Sequence, residues 1–242
     1  MKRFFVNEEL NNGQKVIIEG IEHNHIKNVM RMNVGEEIIL VCGDDFDYKA
    51  KIVSITKGHT LCDIIEKSPN FYNSKSKITV FQALVKSDNM SFIVQKLTEL
   101  GVTDFQPFES EFITSKDKCG KVHKLQDISN QSIKQCKRSI PMKVSDVIGF
   151  DEMLCKLKDY DEIIFANECE KTYKLSEIDL TVDKKIAVII GSEGGFSKNE
   201  IEKLISIGAK SITLGKRILR AETASIALTS VVMYKIGEWE YE

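Results

Sequence analysis

The sequence predicts an α/β fold, a mostly parallel sheet following a small all-β domain, and three observations carry that prediction. Ile186-Ala187-Val188-Ile189-Ile190 is a short apolar run ending at Gly191-Ser192-Glu193-Gly194-Gly195, as a strand buried on both faces of a parallel sheet would. Strand, glycine turn and helix then follow each other twice between Ile186 and Ala227. Residues 1–72 instead carry short alternating runs broken by turn signals.

In chain order, the alternating runs are Lys15–Ile18, Glu37–Val41, Tyr48–Ile55 and Thr60–Ile65, with turns at Gly43-Asp44-Asp45 and Lys57-Gly58. One helical interruption, Glu22 to Met30, divides them. Several short strands of this kind predict a barrel of OB or PUA type. Pro69 to Lys77 is polar and turn-rich and marks the boundary, giving domains over 1–72 and 73–242. Ile78–Val85 is continuously apolar and predicts the first parallel strand. Lys86-Ser87-Asp88 leads into a helix with a core stripe of Met90, Ile93, Val94, Leu97 and Leu100, closed by Gly101. Val102–Pro107 and Glu162–Ala166 predict strands, and Lys121–Gln135 a helix.

The central unit then reads in detail. Ser197 with Glu200 three residues on forms a capping box for a helix bearing Ile201, Leu204 and Ile205, stopped at Gly208. Ser211–Leu214 is the next strand, Gly215 the next turn, and Glu222–Gly237 the last helix. Apolar residues lie nearly all round that helix, so it is buried on more than one side, against its own sheet or against a second copy. Both glycine turns leave one sheet edge, where open α/β sheets hold ligands. The glycines at 191, 194 and 195 do not fit GxGxxG. Lys210 and Arg217 break the phosphate-loop pattern around Gly215-Lys216.

Composition bounds the class. The 242 residues are 42% hydrophobic and 29% charged, ordinary for a globular chain with room for two small domains. No apolar stretch approaches the ~20 residues of a membrane span, and the start lacks a signal-peptide pattern. The six cysteines are scattered, without CxxC pairs or clustering with the four histidines. Reduced thiols, a cytoplasmic location and no metal are therefore expected. Net charge is −2, but Lys116 to Lys143 holds eight basic and two acidic residues, a local +6. That run is either a solvated helix face with a basic loop or a phosphate-contacting surface.

GSEGGFSKNEI followed by LGKRILRAETA resembles the RsmE family, SPOUT-class enzymes that methylate N3 of a uridine in 16S ribosomal RNA. RFFV, HNHIKNVMRMNVGEEI and VCGDDFDYKAKI resemble the family's PUA-like N-terminal domain, and FIVQKLTELGVTDFQPF its QK-x-x-ELG pattern. Ser192 stands where the family usually has proline, and Lys134 where it commonly has an acidic residue before the Gln of its Q-x-x-R element.

The resemblance implies a SPOUT-type trefoil-knotted methyltransferase domain behind a PUA/OB-like barrel. It further implies bent S-adenosyl-L-methionine as cofactor, the 30S subunit as substrate, and a homodimer. For the cofactor it points to Asn167, Glu168, Gly191, Glu193, Gly194, Leu214, Gly215, Ile218, Leu219 and Ala224, with the leucines and isoleucine as an adenine wall. Arg220 and Glu222 are the catalytic candidates: Arg220 to hold uracil oxygens or phosphate, Glu222 as a carboxylate near the reaction edge. A salt-bridge or helix-cap pair is their plain structural alternative. Arg3, His25, Arg31 and Arg138 are the RNA-binding candidates, against packing or turn roles. No nucleophile set is recognisable, and the base that removes the N3 proton stays open between solvent and a side chain. Other ribosomal or transfer RNA targets, and a non-catalytic RNA-binding assembly factor, are the competing readings.

Overall fold

A computed structural model describes residues 1–113, 122–170 and 175–240. Chain contacts divide it into two units, 1–73 with 130–141, and 74–129 with 142–242. Residues 130–141, read from sequence as part of the second domain, thus pack with the first.

The first unit is a curled five-stranded sheet in the order β1 (Lys2–Phe5), β3 (Glu37–Val41), β4 (Phe46–Ile55), β5 (Thr60–Pro69), β2 (Lys15–Ile18). β1 runs parallel to β3 and the other pairs are antiparallel. Alternation places Val16 and Ile18, Tyr48, Ala50 and Ile52, and Cys62 and Ile64 in one core with Phe4, Ile26, Ile38 and Leu40. Burial, reinforced by the charge of Asp63, pushes the Cys62 thiol up to about 12, so it is an inert core group.

The helical interruption is α1 (Gly20–Asn24) passing into a wide π turn over His25–Val29, where the Met30 amide donates to the His25 carbonyl at 2.8 Å. His23 is buried and its Nδ1 lies 2.8 Å from Thr60 Oγ1. From 130–141, Ile133 joins Ile39 and Val41 in a small apolar cluster, and Asn73 accepts from the Ser139 and Ile140 amides.

The second unit is a parallel sheet ordered β12 (Lys210–Ile212), β10 (Glu162–Ala166), β11 (Lys185–Ile190), β6 (Lys77–Ala83), β7 (Asp104–Glu109), β8 (Lys143–Val144), with β9 (Ile148–Gly149) also on β7. Alternate residues face opposite layers. Ile78, Val80, Ile186 and Val188 pack with α2 (Ser87–Leu100) and α6 (Ala221–Lys235), together with Leu125 of α3 (Val122–Cys136). Phe81, Ala83, Ala187 and Ile189 pack with α4 (Phe150–Leu157) and α5 (Lys198–Ser206). Burial on both faces is why these strands read as unbroken apolar runs. Among the described residues, no helix is long and apolar enough to cross a membrane.

Three details differ from expectation. Ile205 is exposed on α5 rather than core-facing, because Leu204 and Ile201 already fill that helix's inner face. On α6 the buried positions form one broad stripe from Ala221 to Met233, leaving Val231 and Tyr234 exposed. β8, β9 and α4 were not read from the sequence: two-residue strands carry no periodicity, whereas α4 does show helical spacing at Phe150, Met153, Leu154 and Leu157.

Candidate active site

At the carboxyl edge of the parallel sheet a cavity of about 460 Å³ opens between the ends of β10, β11 and β12 and the start of α6. Its size suits a cofactor-sized ligand. The strand order reverses between β6 and β11, and a parallel sheet leaves its crevice at such a point.

From β10, Asn167 secures the loop: its amide nitrogen donates to Ile212 O at 2.9 Å, its Nδ2 to Ser211 Oγ at 3.1 Å, and its Oδ1 accepts from the Cys169 amide at 3.0 Å. Asn167 therefore joins β10 to β12 and shapes the wall. Glu168, exposed, lies against Gly195, where a Cβ would sit 2.7 Å from its Oε1. Gly195 also has φ +70°, which an L side chain adopts only with strain. The backbone angle is what favours glycine there, since the exposed Glu168 carboxylate ends a flexible side chain that can turn aside.

From β11, Gly191 lines the cavity and its carbonyl accepts from Gln82 Nε2 at 3.2 Å. The turn that follows closes through the Gly195 amide on Ser192 O, at 3.0 Å. Ser192 Oγ donates to Phe112 O at 3.0 Å, so the residue that departs from the family's proline ties the turn to the loop after β7. Gly194 is not among the residues that line the cavity. A Cβ on it would meet Phe112 Cβ at 2.8 Å, so its missing side chain makes room for Phe112.

From β12, Thr213 Oγ1 accepts from the Gly215 amide at 3.2 Å, fixing the turn that carries Leu214 and Gly215. Ile218 and Leu219 complete an apolar wall, Ile218 standing 86% exposed. Arg220 is the N-cap of α6 and offers no side-chain cap, which leaves the first-turn amides beside the cavity without an intrahelical acceptor. Ala224 lies one turn on.

α2 and its N-cap residue bring two residues that sequence reading missed. Asn89 Nδ2 donates to Glu222 Oε2 at 3.4 Å, and the Lys86 amide donates to Glu193 Oε1 at 3.4 Å. Their signal was positional: they follow β6, whose carboxyl end adjoins that of β11. The lining acids Glu168, Glu193 and Glu222 balance the bases Lys86, Arg217 and Arg220.

Family models for an RNA methyltransferase domain and an RNA methyltransferase PUA domain match residues 72–233 and 19–65. The ribosomal RNA small subunit methyltransferase E of Bacillus subtilis is 30% identical, with 97% of each chain covered. That of Mesomycoplasma hyopneumoniae is 33% identical, over 94% of this chain and 97% of its own. This chain belongs to the RsmE family of RNA methyltransferases. The crystal structure of the RsmE of Neisseria gonorrhoeae bound to S-adenosyl methionine superposes with a TM-score of 0.91, at 29% identity and 98% coverage of both chains. The RsmE fold here is accordingly of the SPOUT class, a parallel-sheet unit with a PUA-like partner.

All the cofactor candidates except Gly194, and both catalytic candidates, line this one RsmE cavity. The RNA candidates fall in the first unit and are not alike. Arg3 is held by Asp47 through two bonds of 2.7 and 2.5 Å, its side chain only 8% exposed. Arg138 is 3% exposed. Neither presents its guanidinium to solvent as the protein stands. His25 is half-buried, edge-on to Phe4, whereas Arg31 is exposed with φ +51°. Of the basic run, Lys116, Lys118 and Lys121 lie outside the described residues. Lys134 is paired with Glu22, leaving Lys124, Lys137 and Lys143 as the described exposed cations.

Proposed function

We propose that this RsmE member transfers a methyl group from S-adenosylmethionine to N3 of a uridine in 16S ribosomal RNA, on the assembled 30S subunit. The observation that carries the reading is the single cavity into which two distant motifs, 191–195 and 214–224, deliver complementary groups. The donor set fits the cofactor. Leu214, Ile218 and Leu219 offer an apolar face to adenine. The uncapped start of α6 with Arg217 suits the methionyl carboxylate, and the three carboxylates suit the ammonium and sulfonium.

S-Adenosylmethionine, when bound, supplies the electrophilic methyl group. The chain's own part is to bind, orient and stabilise charge. Alignment of the uracil nitrogen with the methyl carbon removes much of the barrier. In this reading Arg220, exposed at the rim, holds the uracil oxygens as the N3 proton leaves to solvent and the imide anion forms. Glu222, fixed by Asn89, keeps a carboxylate beside it.

The proposal extends to a homodimer, whose support is the exposed trio Val231, Tyr234 and Trp239 on and after α6, the two rings 6.2 Å apart. A ribosomal substrate puts the protein in the cytoplasm.

The test is transfer of labelled methyl to 30S subunits lacking uridine-N3 methylation, followed by nucleoside analysis. 3-Methyluridine is the expected product. Cofactor binding without transfer would retain a methyltransferase with another RNA target; loss of both would favour an assembly factor.

A further inference from the structure

Two aromatic side chains at the end of the first unit's sheet are unexplained by packing. Phe71 is 86% and Tyr72 50% exposed, side by side in the chain just after β5. The segment bearing them is nevertheless fixed. Asn70 Oδ1 accepts from the Tyr72 amide at 2.8 Å, and Asn70 Nδ2 donates to Asp47 Oδ1 at 2.7 Å and to the Lys137 carbonyl at 2.9 Å.

Two cations lie against the Tyr72 ring. Lys137 Nζ lies 5.1 Å and Arg3 Cζ 5.9 Å from the Tyr72 centroid. At the same end, where Phe46 pairs with Pro69, Lys67 Nζ lies 4.0 Å from the Phe46 ring. The aspartates there are engaged within the fold: Asp44 with the Tyr48 hydroxyl, Asp45 with Asn73, Asp47 with Arg3 and Asn70. Lys137 is itself unusual. It follows the last residue of α3 at φ +69°, a position where glycine is the relaxed choice, and a strained residue that persists at a surface points to use of its side chain.

We propose that Phe71 and Tyr72 form a stacking platform for unpaired RNA bases, with Lys137 and Lys67 meeting the adjoining phosphates. Exposed rings give bases a face to stack on, and flanking cations give the backbone a counter-charge. The proposal deepens the RNA-methyltransferase reading by placing a substrate contact in the first unit.

The test uses the full chain, with binding of a short single-stranded oligouridine measured across salt concentrations, alongside methyl transfer to 30S subunits. Phe71→Ala and Tyr72→Ala should each weaken oligouridine binding about fivefold or more without changing the salt slope. Lys137→Gly should lower the magnitude of that slope by about 0.7, one phosphate contact, while melting at the same or a higher temperature. All three should raise the KM for 30S subunits and leave S-adenosylmethionine affinity untouched, and Tyr72→Trp should retain binding. Wild-type RNA affinity in both alanine variants would overturn the platform. So would a fall in 30S transfer with oligouridine binding unchanged, since the rings would then touch protein. Failure of the wild-type chain to methylate 30S subunits would instead sink the substrate reading and leave the oligouridine result standing.

Discussion

Asn89 and Arg220 act on the same small volume from opposite kinds of position, one inside a helix and one at a helix cap. The Asn89 amide donates to Glu222 and holds it in one rotamer, so Asn89→Ala should let that side chain swing. The bond is long, worth about 1 kcal/mol, so a roughly fivefold fall in kcat is expected from single-turnover kinetics, with cofactor affinity nearly intact. Arg220→Ala should be more severe. Removing a group that stabilises developing negative charge costs about 10²–10³ in kcat, while isothermal titration should find S-adenosylmethionine binding within about twofold of normal. Equal losses in rate and binding would make Arg220 cofactor-facing or structural. Arg220 was legible in the sequence because it sits inside an unusual motif. Asn89 was not, because an asparagine in the first turn of an ordinary amphipathic helix carries no local mark of the carboxylate it meets 133 residues later.

Single elements show where pattern reading stops. Ser197 and Glu200 were readable as a capping box, and both reciprocal bonds are present, at 2.9 and 3.2 Å. What the spacing could not show is that the buried Glu200 carboxylate also accepts from the Glu111 amide at 2.9 Å and Ser110 Oγ at 3.2 Å. The cap therefore fastens the loop after β7, which Ser192 grips through Phe112. Ser197→Ala should cost about 1 kcal/mol, the usual value of a cap. Glu200→Ala strands several buried donors and should cost about 2–4 kcal/mol. Chemical denaturation of the two variants would order them, and equal losses would show that the loop bonds contribute nothing. Gly194 teaches the same lesson. Glycine density announced a turn, but Phe112, distant in sequence, decides what that glycine is for.

At the scale of the molecule, the division into units was the least legible feature. Strand types change character at Pro69–Lys77, which the sequence displays; nothing local marks 130–141 as belonging with the first unit, because its ties run through Asn73 and the Ile39–Val41 face. The Arg3–Asp47 pair lies wholly in the first unit and the cavity wholly in the second. Asp47→Ala leaves a nearly buried guanidinium without its carboxylate, and breaking such a pair from one side costs about 3–5 kcal/mol. Saturating cofactor, at a hundredfold over its Kd, should stabilise whatever forms the cavity by about 2.7 kcal/mol. Hydrogen exchange read peptide by peptide separates the two effects. Asp47→Ala should speed exchange in 1–73 and 130–141 and spare β6, β10 and β11. S-Adenosylmethionine should slow exchange around 186–196 and 210–228 in wild type and variant alike. If the substitution instead loosened both units equally, or the cofactor protected both, the chain would unfold as one cooperative body, and stability lost at Asp47 would reach the active site directly.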